Sequence, residues 1–157
     1  MELTLGSKAP DIITKDDEGN DFLLTSLLGQ WIVLYFYPKD NTSGCTAEAC
    51  DFRDKMDGIS VHGAHVVGVS PDNVASHQKF KRKYNLNFKL LADEDKKICN
   101  DYGVYGIKSL YGKKYMGVYR TTFIIDDLGN INHIFENVRV KGHIDEIIKY
   151  LLEHINK

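Results

Sequence analysis

Cysteine, proline and tryptophan are scarce in this chain of 157 residues, which has three, three and one of them. Three cysteines are too few for a disulfide scaffold, and an odd number leaves one unpaired. A reducing compartment is therefore favoured, where cysteines are kept for catalysis, metal binding or burial. Long hydrophobic runs are also missing: the longest, Trp31–Tyr37, falls far short of the ~20 residues that a membrane span requires. Neither charge sign dominates, and the net charge of −2 gives no electrostatic reason to expect nucleic acid or an anionic membrane as partner. The opening MELTLGSKAP has no basic leader and no apolar core of signal length, so a cytoplasmic protein is expected. There is no repeat, low-complexity tract or Pro/Ser-rich linker, which leaves a single domain over 1–157.

What is present is an ordinary globular composition, 43% hydrophobic and 27% charged, in a chain long enough to bury a core. Asp16-Asp17-Glu18-Gly19-Asn20 reads as a turn between two short apolar stretches. Ile32–Tyr37, β-branched and aromatic without polar interruption, predicts a central strand covered on both faces. Pro38 ends it, and a loop runs to Gly44. Helix formers then extend from Cys45 to about Met56. His65–Val69 and Leu90–Ala92 predict strands, and Asn73–Tyr84 predicts a helix between them. A further helix, capped by Asp93, is expected to run to about Tyr102. Thr121–Ile125 and Ile131–Phe135 flank a hairpin turn at Asp126–Asn130. His143–Ile155 closes the chain as an amphipathic helix with Ile144, Ile147, Ile148, Leu151 and Leu152 on one face. This order predicts an α/β thioredoxin-like fold, a central mixed sheet flanked by helices on both faces, with an N-terminal β-hairpin.

The stretch TSGCTAEAC places Cys45 just after a strand–loop transition and at the start of a helix. A free thiol ionises near pH ~8.5 and only its thiolate attacks, but the unpaired N–H groups and positive dipole end of a helix favour an anion. Gly44 permits close backbone approach and an unusual φ, and the Thr42 hydroxyl could donate to the thiolate or to an incoming oxygen. Cys50 lies five residues on, where an ideal helix puts its Cα roughly 8–9 Å away, beyond the about 7 Å that a disulfide tolerates. The two thiols therefore meet only if the helix start unwinds, which suits a second, resolving thiol. Against this stand plainer readings: a buried structural cysteine for Cys45 and core filling for Cys50. A CxxxxC spacing without nearby histidines is a poor metal site.

The segment Phe36–Asp54, with Val67–Asp72 and Tyr111–Asp126, resembles the peroxiredoxins, and within them the bacterioferritin comigratory protein or peroxiredoxin Q group. The family's PxxxTxxC motif matches Pro38, Thr42 and Cys45, and its resolving cysteine matches Cys50. The resemblance covers nearly the whole chain. It departs at Ser43, where the family usually has proline.

The resemblance implies a thioredoxin-dependent thiol peroxidase acting on hydrogen peroxide and organic hydroperoxides, without metal, haem or nucleotide. Cys45 would be the peroxidatic cysteine, oxidised to a sulfenic acid. Cys50 would then form an intramolecular disulfide with it, reduced by thioredoxin or a similar dithiol. Thr42 and the Cys45 backbone N–H would hold the peroxide in line, Arg120 would stabilise the thiolate and the charge on the departing oxygen, Glu48 would orient Arg120, and Pro38 would shield the thiolate. For Glu48 the plainer reading is a solvated helix residue, and for Pro38 a strand terminator. A monomer is expected, with a weak dimer allowed. Tyr115 and Met116 are expected near the pocket mouth, and Cys99 is assigned no redox role. Two rivals remain: a dithiol oxidoreductase that does not use peroxide, and a non-catalytic metal-binding or interaction module.

Overall fold

The computed structural model describes residues 3–155. Among the described residues, nine strands form two sheets. The larger has seven, in the order β2-β1-β5-β4-β3-β8-β9: β1 Ile13–Asp16, β2 Asp21–Leu23, β3 Ile32–Phe36, β4 His65–Ser70, β5 Lys89–Ala92, β8 Thr121–Ile125 and β9 Ile131–Phe135. Strand β3 pairs in parallel with β4, and β4 with β5, while every other neighbour is antiparallel. The sheet is thus mixed, as the order of elements predicts. A separate two-stranded hairpin is made by β6 Tyr105–Leu110 and β7 Lys113–Val118.

All five residues of β3 are buried, and the pleat divides them between two cores. Ile32, Leu34 and Phe36 face the N-terminal segment and helix α4 (Lys97–Asp101), meeting Ile12, Phe22, Ile98 and Tyr102. Val33 and Tyr35, with Tyr37 just beyond the strand, face the other way. They meet α1 (Ser43–Asp54), α2 (Met56–Ser60), α3 (Val74–Tyr84) and α5 (His143–His154) through Phe52, Ile59, Phe80 and Ile147. A strand covered on both sides has no polar face to alternate with, which explains the unbroken apolar run.

The two hairpins at the sheet's ends use one chemistry. In Asp16–Asn20 and Asp126–Asn130 the leading aspartate accepts from the N–H groups two and four residues on, at 2.9–3.0 Å. The glycine takes φ near +80° in both (Gly19 and Gly129).

Helix α3 is capped by Asn73, whose side chain accepts from Ser76 N–H at 2.8 Å, and it ends at Asn85 in the left-handed region.

Four expectations need revision. Helix α1 begins at Ser43, two residues before Cys45, and breaks at Lys55, so α2 is a separate short helix. The Asp93 carboxylate does accept from Ile98 and Cys99 N–H, but Lys96 sits at φ 62°, and α4 spans only Lys97–Asp101. Leu152 is 61% exposed, because the apolar face of α5 is narrower than its spacing suggests. The Gly/Tyr-rich stretch Gly103–Tyr119, which its sequence reads as an unusually long connection, is mostly the β6–β7 hairpin.

Candidate active site

Strand β3 delivers the chain to a loop, Tyr37–Thr42, and that loop to the start of α1. Thr42 is the N-cap with extended backbone angles, and its carbonyl accepts the first helical bond from Thr46 N–H at 2.8 Å. The N–H groups of Ser43, Gly44 and Cys45 therefore precede any intrahelical acceptor and face outward from the positive end of the helix. The Cys45 side chain turns inward and is 1% exposed.

Arg120 reaches this thiol from 75 residues away. The register explains how: β8 runs antiparallel beside β3 with Thr121 opposite Phe36, so the residue before β8 lies next to the loop that follows β3. Arg120 Nη2 donates to Cys45 Sγ at 3.3 Å, and Nη1 donates to Glu48 Oε1 at 2.6 Å. One planar guanidinium thus spans the thiol and a carboxylate one turn along the same helix. Gly44 is helical here, not in an unusual φ; its role is room, since a Cβ would sit 3.3 Å from Arg120 Nη2.

Glu48 is wholly buried and not a solvated helix residue. Burial pushes its carboxyl up to about 7, opposed by the charge and hydrogen bond of Arg120. Its Oε2, like the Tyr35 hydroxyl, has no hydrogen-bond partner among the described residues. Arg120 is itself pushed down by burial, but the charges and bonds of Glu48 and Cys45 hold it above its ordinary value.

The other site residues are placed as follows. The Thr42 hydroxyl donates to the Lys39 carbonyl at 2.9 Å, so it closes the loop and does not touch the sulfur. Pro38 is half-buried at the exit of β3. Cys50 is half-buried in the unbroken body of α1, and all three cysteines are free thiols. Cys99 is fully buried, and burial followed by the Asp93 charge and bond drives its thiol far above the usual range. Tyr115 and Met116 lie exposed on β7.

Sequence reasoning missed two features. Lys108 on β6 lays its stem across Gly117, where a Cβ would meet Lys108 Cδ at 2.9 Å, and its Nζ donates to the Val118 carbonyl at 3.0 Å. Burial and then the Arg120 charge lower its ammonium, while the Cys45 charge acts the other way. It is a second cation within electrostatic reach of the thiol, and nothing in its spacing signals that. The other feature is a polar cluster of Asp40, Asp72 and His77 behind the Tyr37–Thr42 loop. Asp40 is 32 residues from Asp72 and 37 from His77 in sequence.

Among the described residues no helix is long and apolar enough to cross a membrane.

The chain is similar to known proteins over nearly all of its length. Residues 5–134 match the model of the AhpC/TSA family. A putative peroxiredoxin bcp of Coxiella burnetii is 48% identical over 94% of this chain and 98% of its own. Peroxiredoxin Bcp of Bacillus subtilis is 44% identical over the whole of both. A structure of the bacterioferritin comigratory protein of Xanthomonas campestris, solved to explain its alkyl peroxide reduction activity, superposes with a TM-score of 0.90 at 34% identity over 98% of each chain. The likeness runs over nearly the full length of the chain and of its relatives: the chain belongs to the AhpC/TSA family, in the peroxiredoxin Bcp and peroxiredoxin Q group, and is a thiol-dependent peroxidase.

Proposed function

We propose that Cys45 is the peroxidatic cysteine and that it reduces hydrogen peroxide and organic hydroperoxides. Its thiolate attacks the nearer peroxide oxygen in line with the O–O bond. The S–O bond forms as the O–O bond breaks, Cys45 becomes a sulfenic acid, and the departing alkoxide or hydroxide takes a proton to leave as alcohol or water. The observation that carries this reading is the fork of Arg120, donating at once to Cys45 Sγ and Glu48 Oε1. Its permanent charge stabilises the thiolate and the negative charge growing on the leaving oxygen, and Glu48 fixes its plane. The alkyl peroxide reduction described for the Xanthomonas campestris relative supports the organic hydroperoxides. Thr42 contributes by closing the loop, and Pro38 by covering the strand exit.

In the same proposal Cys50 resolves the sulfenic acid. Its thiol attacks the Cys45 sulfur and water leaves, giving an intramolecular disulfide that thioredoxin or a similar dithiol reduces in a reducing, cytoplasmic setting. Both thiols lie in one continuous helix, so α1 must open between them in each cycle. Cys99, buried and strongly disfavoured as a thiolate, takes no part.

Stopped-flow peroxide reduction coupled to thioredoxin tests the scheme. Cys45→Ser should abolish turnover. Cys50→Ser should still be oxidised once at full rate but should not turn over with thioredoxin. Turnover by Cys45→Ser would overturn the assignment of Cys45, and full thioredoxin-driven turnover by Cys50→Ser would replace the disulfide cycle with a single-cysteine one.

A further inference from the structure

The loop that leads into α1 is held from behind by a buried polar network centred on His77 of α3. His77 is fully buried, and both of its ring nitrogens face acceptors: Nδ1 lies 2.7 Å from Asp40 Oδ2, and Nε2 lies 2.9 Å from the Leu91 carbonyl. A neutral imidazole has one hydrogen and would aim a lone pair at one of these oxygens. Asp40 is already supplied with donors, taking the Tyr37 hydroxyl on Oδ1 at 2.6 Å and the Ser76 hydroxyl on Oδ2 at 2.8 Å. That set of donors suits a carboxylate, and leaves both ring hydrogens on the histidine. The Asp40 N–H in turn donates to Asp72 Oδ2 at 2.8 Å, and the same oxygen accepts the Ser70 hydroxyl at 2.6 Å. Next along the loop, Asn41 stands at φ 62° and its side chain accepts from the Tyr84 hydroxyl at 3.1 Å. Two residues of the loop that carries the N-cap of α1 are thus tied to α3 by their side chains, and a third tie runs from the Asp40 backbone to the loop after β4.

We infer that His77 is a positioning residue for the peroxidatic thiol: kept as a buried imidazolium between Asp40 and the Leu91 carbonyl, it fixes the Tyr37–Thr42 loop and thereby the first turn of α1 that presents Cys45. This rests on the reading of Cys45 above. The charged and titratable groups that face His77 are Asp40 and Tyr37 from the loop after β3 and Asp72 from the loop after β4; β5 offers the neutral Leu91 carbonyl. Burial alone would favour the neutral ring, but the Asp40 bond and charge, the Leu91 carbonyl and the Asp72 charge together hold it protonated above its ordinary value. Loss of the proton leaves Asp40 buried without a counter-charge, next to an imidazole lone pair, and the loop loses its anchor. The rate of peroxide attack then falls at a pH set by a group that never touches peroxide. A misplacement approaching 1 Å at the reacting atoms can cost about 100-fold, so a partial loosening is worth roughly tenfold.

The test is nitrogen NMR of the His77 ring across pH in the unmodified, reduced protein, alongside the second-order rate of peroxide reduction. Both ring nitrogens should carry hydrogen at neutral pH, and the alkaline fall in rate should share its midpoint with the His77 titration. His77→Gln should react roughly tenfold more slowly, with the alkaline limb gone. A neutral ring at pH 7, or a rate that stays flat while His77 titrates, overturns the inference whether or not the variant folds. If Cys45→Ser retains peroxide turnover, it is the reading of the site that fails, and the NMR result on His77 is untouched.

Discussion

Replacing Glu48 by glutamine asks what the active site costs the fold. Glu48 has no exposed surface, and one of its oxygens is without a partner among the described residues. Burial outweighs the pull of Arg120 and raises the carboxyl from 4.5 to about 7. A rise of that size is an ionisation cost on the order of 3 kcal/mol in the folded state. The unfolded chain gives up the proton near 4.5 and the folded protein only near 7, so stability falls as pH rises through that window and the full penalty persists above it. Glutamine keeps the shape and the acceptor for Arg120 Nη1 but cannot ionise. The stability of Glu48→Gln relative to wild type should therefore improve by about 2.5 kcal/mol between pH 5 and pH 8. Urea unfolding of both reduced proteins at the two pH values measures this, and taking the difference cancels groups that titrate alike in both. Parallel pH profiles would refute the claim that the site holds a costly buried carboxylate. The same variant should reduce peroxide more slowly at pH 8, because a neutral amide holds the guanidinium about half as strongly as a carboxylate does.

Two further substitutions separate stability from rate. Gly44→Ala should stabilise the helix by about 0.5–1 kcal/mol, yet slow peroxide reduction several-fold to about tenfold, since its Cβ would press on Arg120 Nη2 from 3.3 Å. Urea unfolding and stopped-flow rates check the split, and an unchanged rate would show that the contact yields freely. Ser43→Pro restores the family's usual residue at the first position of α1, where proline's fixed φ fits and no helical N–H is lost. It should raise stability by about 0.4–1 kcal/mol, read as a rise in Tm of about 1–4 °C.

The fold was legible in the sequence because its signals are local. An unbroken apolar strand, two Asp-led turns and helical spacing each declare themselves over a few residues. The boundaries were less so: Lys96 in the left-handed region and the break at Lys55 depend on tertiary packing, which sequence spacing does not record. Cys45 stood out by its place at a helix start, while Arg120 and Glu48 entered through resemblance alone. Their meeting depends on the β3–β8 register, a long-range property. The Thr42 hydroxyl, expected at the thiolate, instead donates to the Lys39 carbonyl of its own loop. The His77 network was invisible for the same reason as Arg120, since Asp40 and His77 are brought together only by the packing of α3.

The depth of Cys45 also acts as a filter by size. A cysteine with 1% of its surface exposed is open to a peroxide of a few atoms and closed to another protein's thiol or disulfide. While α1 is intact, the reduced enzyme is shielded from mixed disulfides with its neighbours, however nucleophilic its thiolate. Oxidation changes that. In the proposed cycle, the opening that lets Cys50 reach Cys45 would also bring the linked sulfurs toward the surface, where a protein-sized reductant could find them. Admission to the site is then ordered in time, with small oxidants entering the closed form and large reductants the open one.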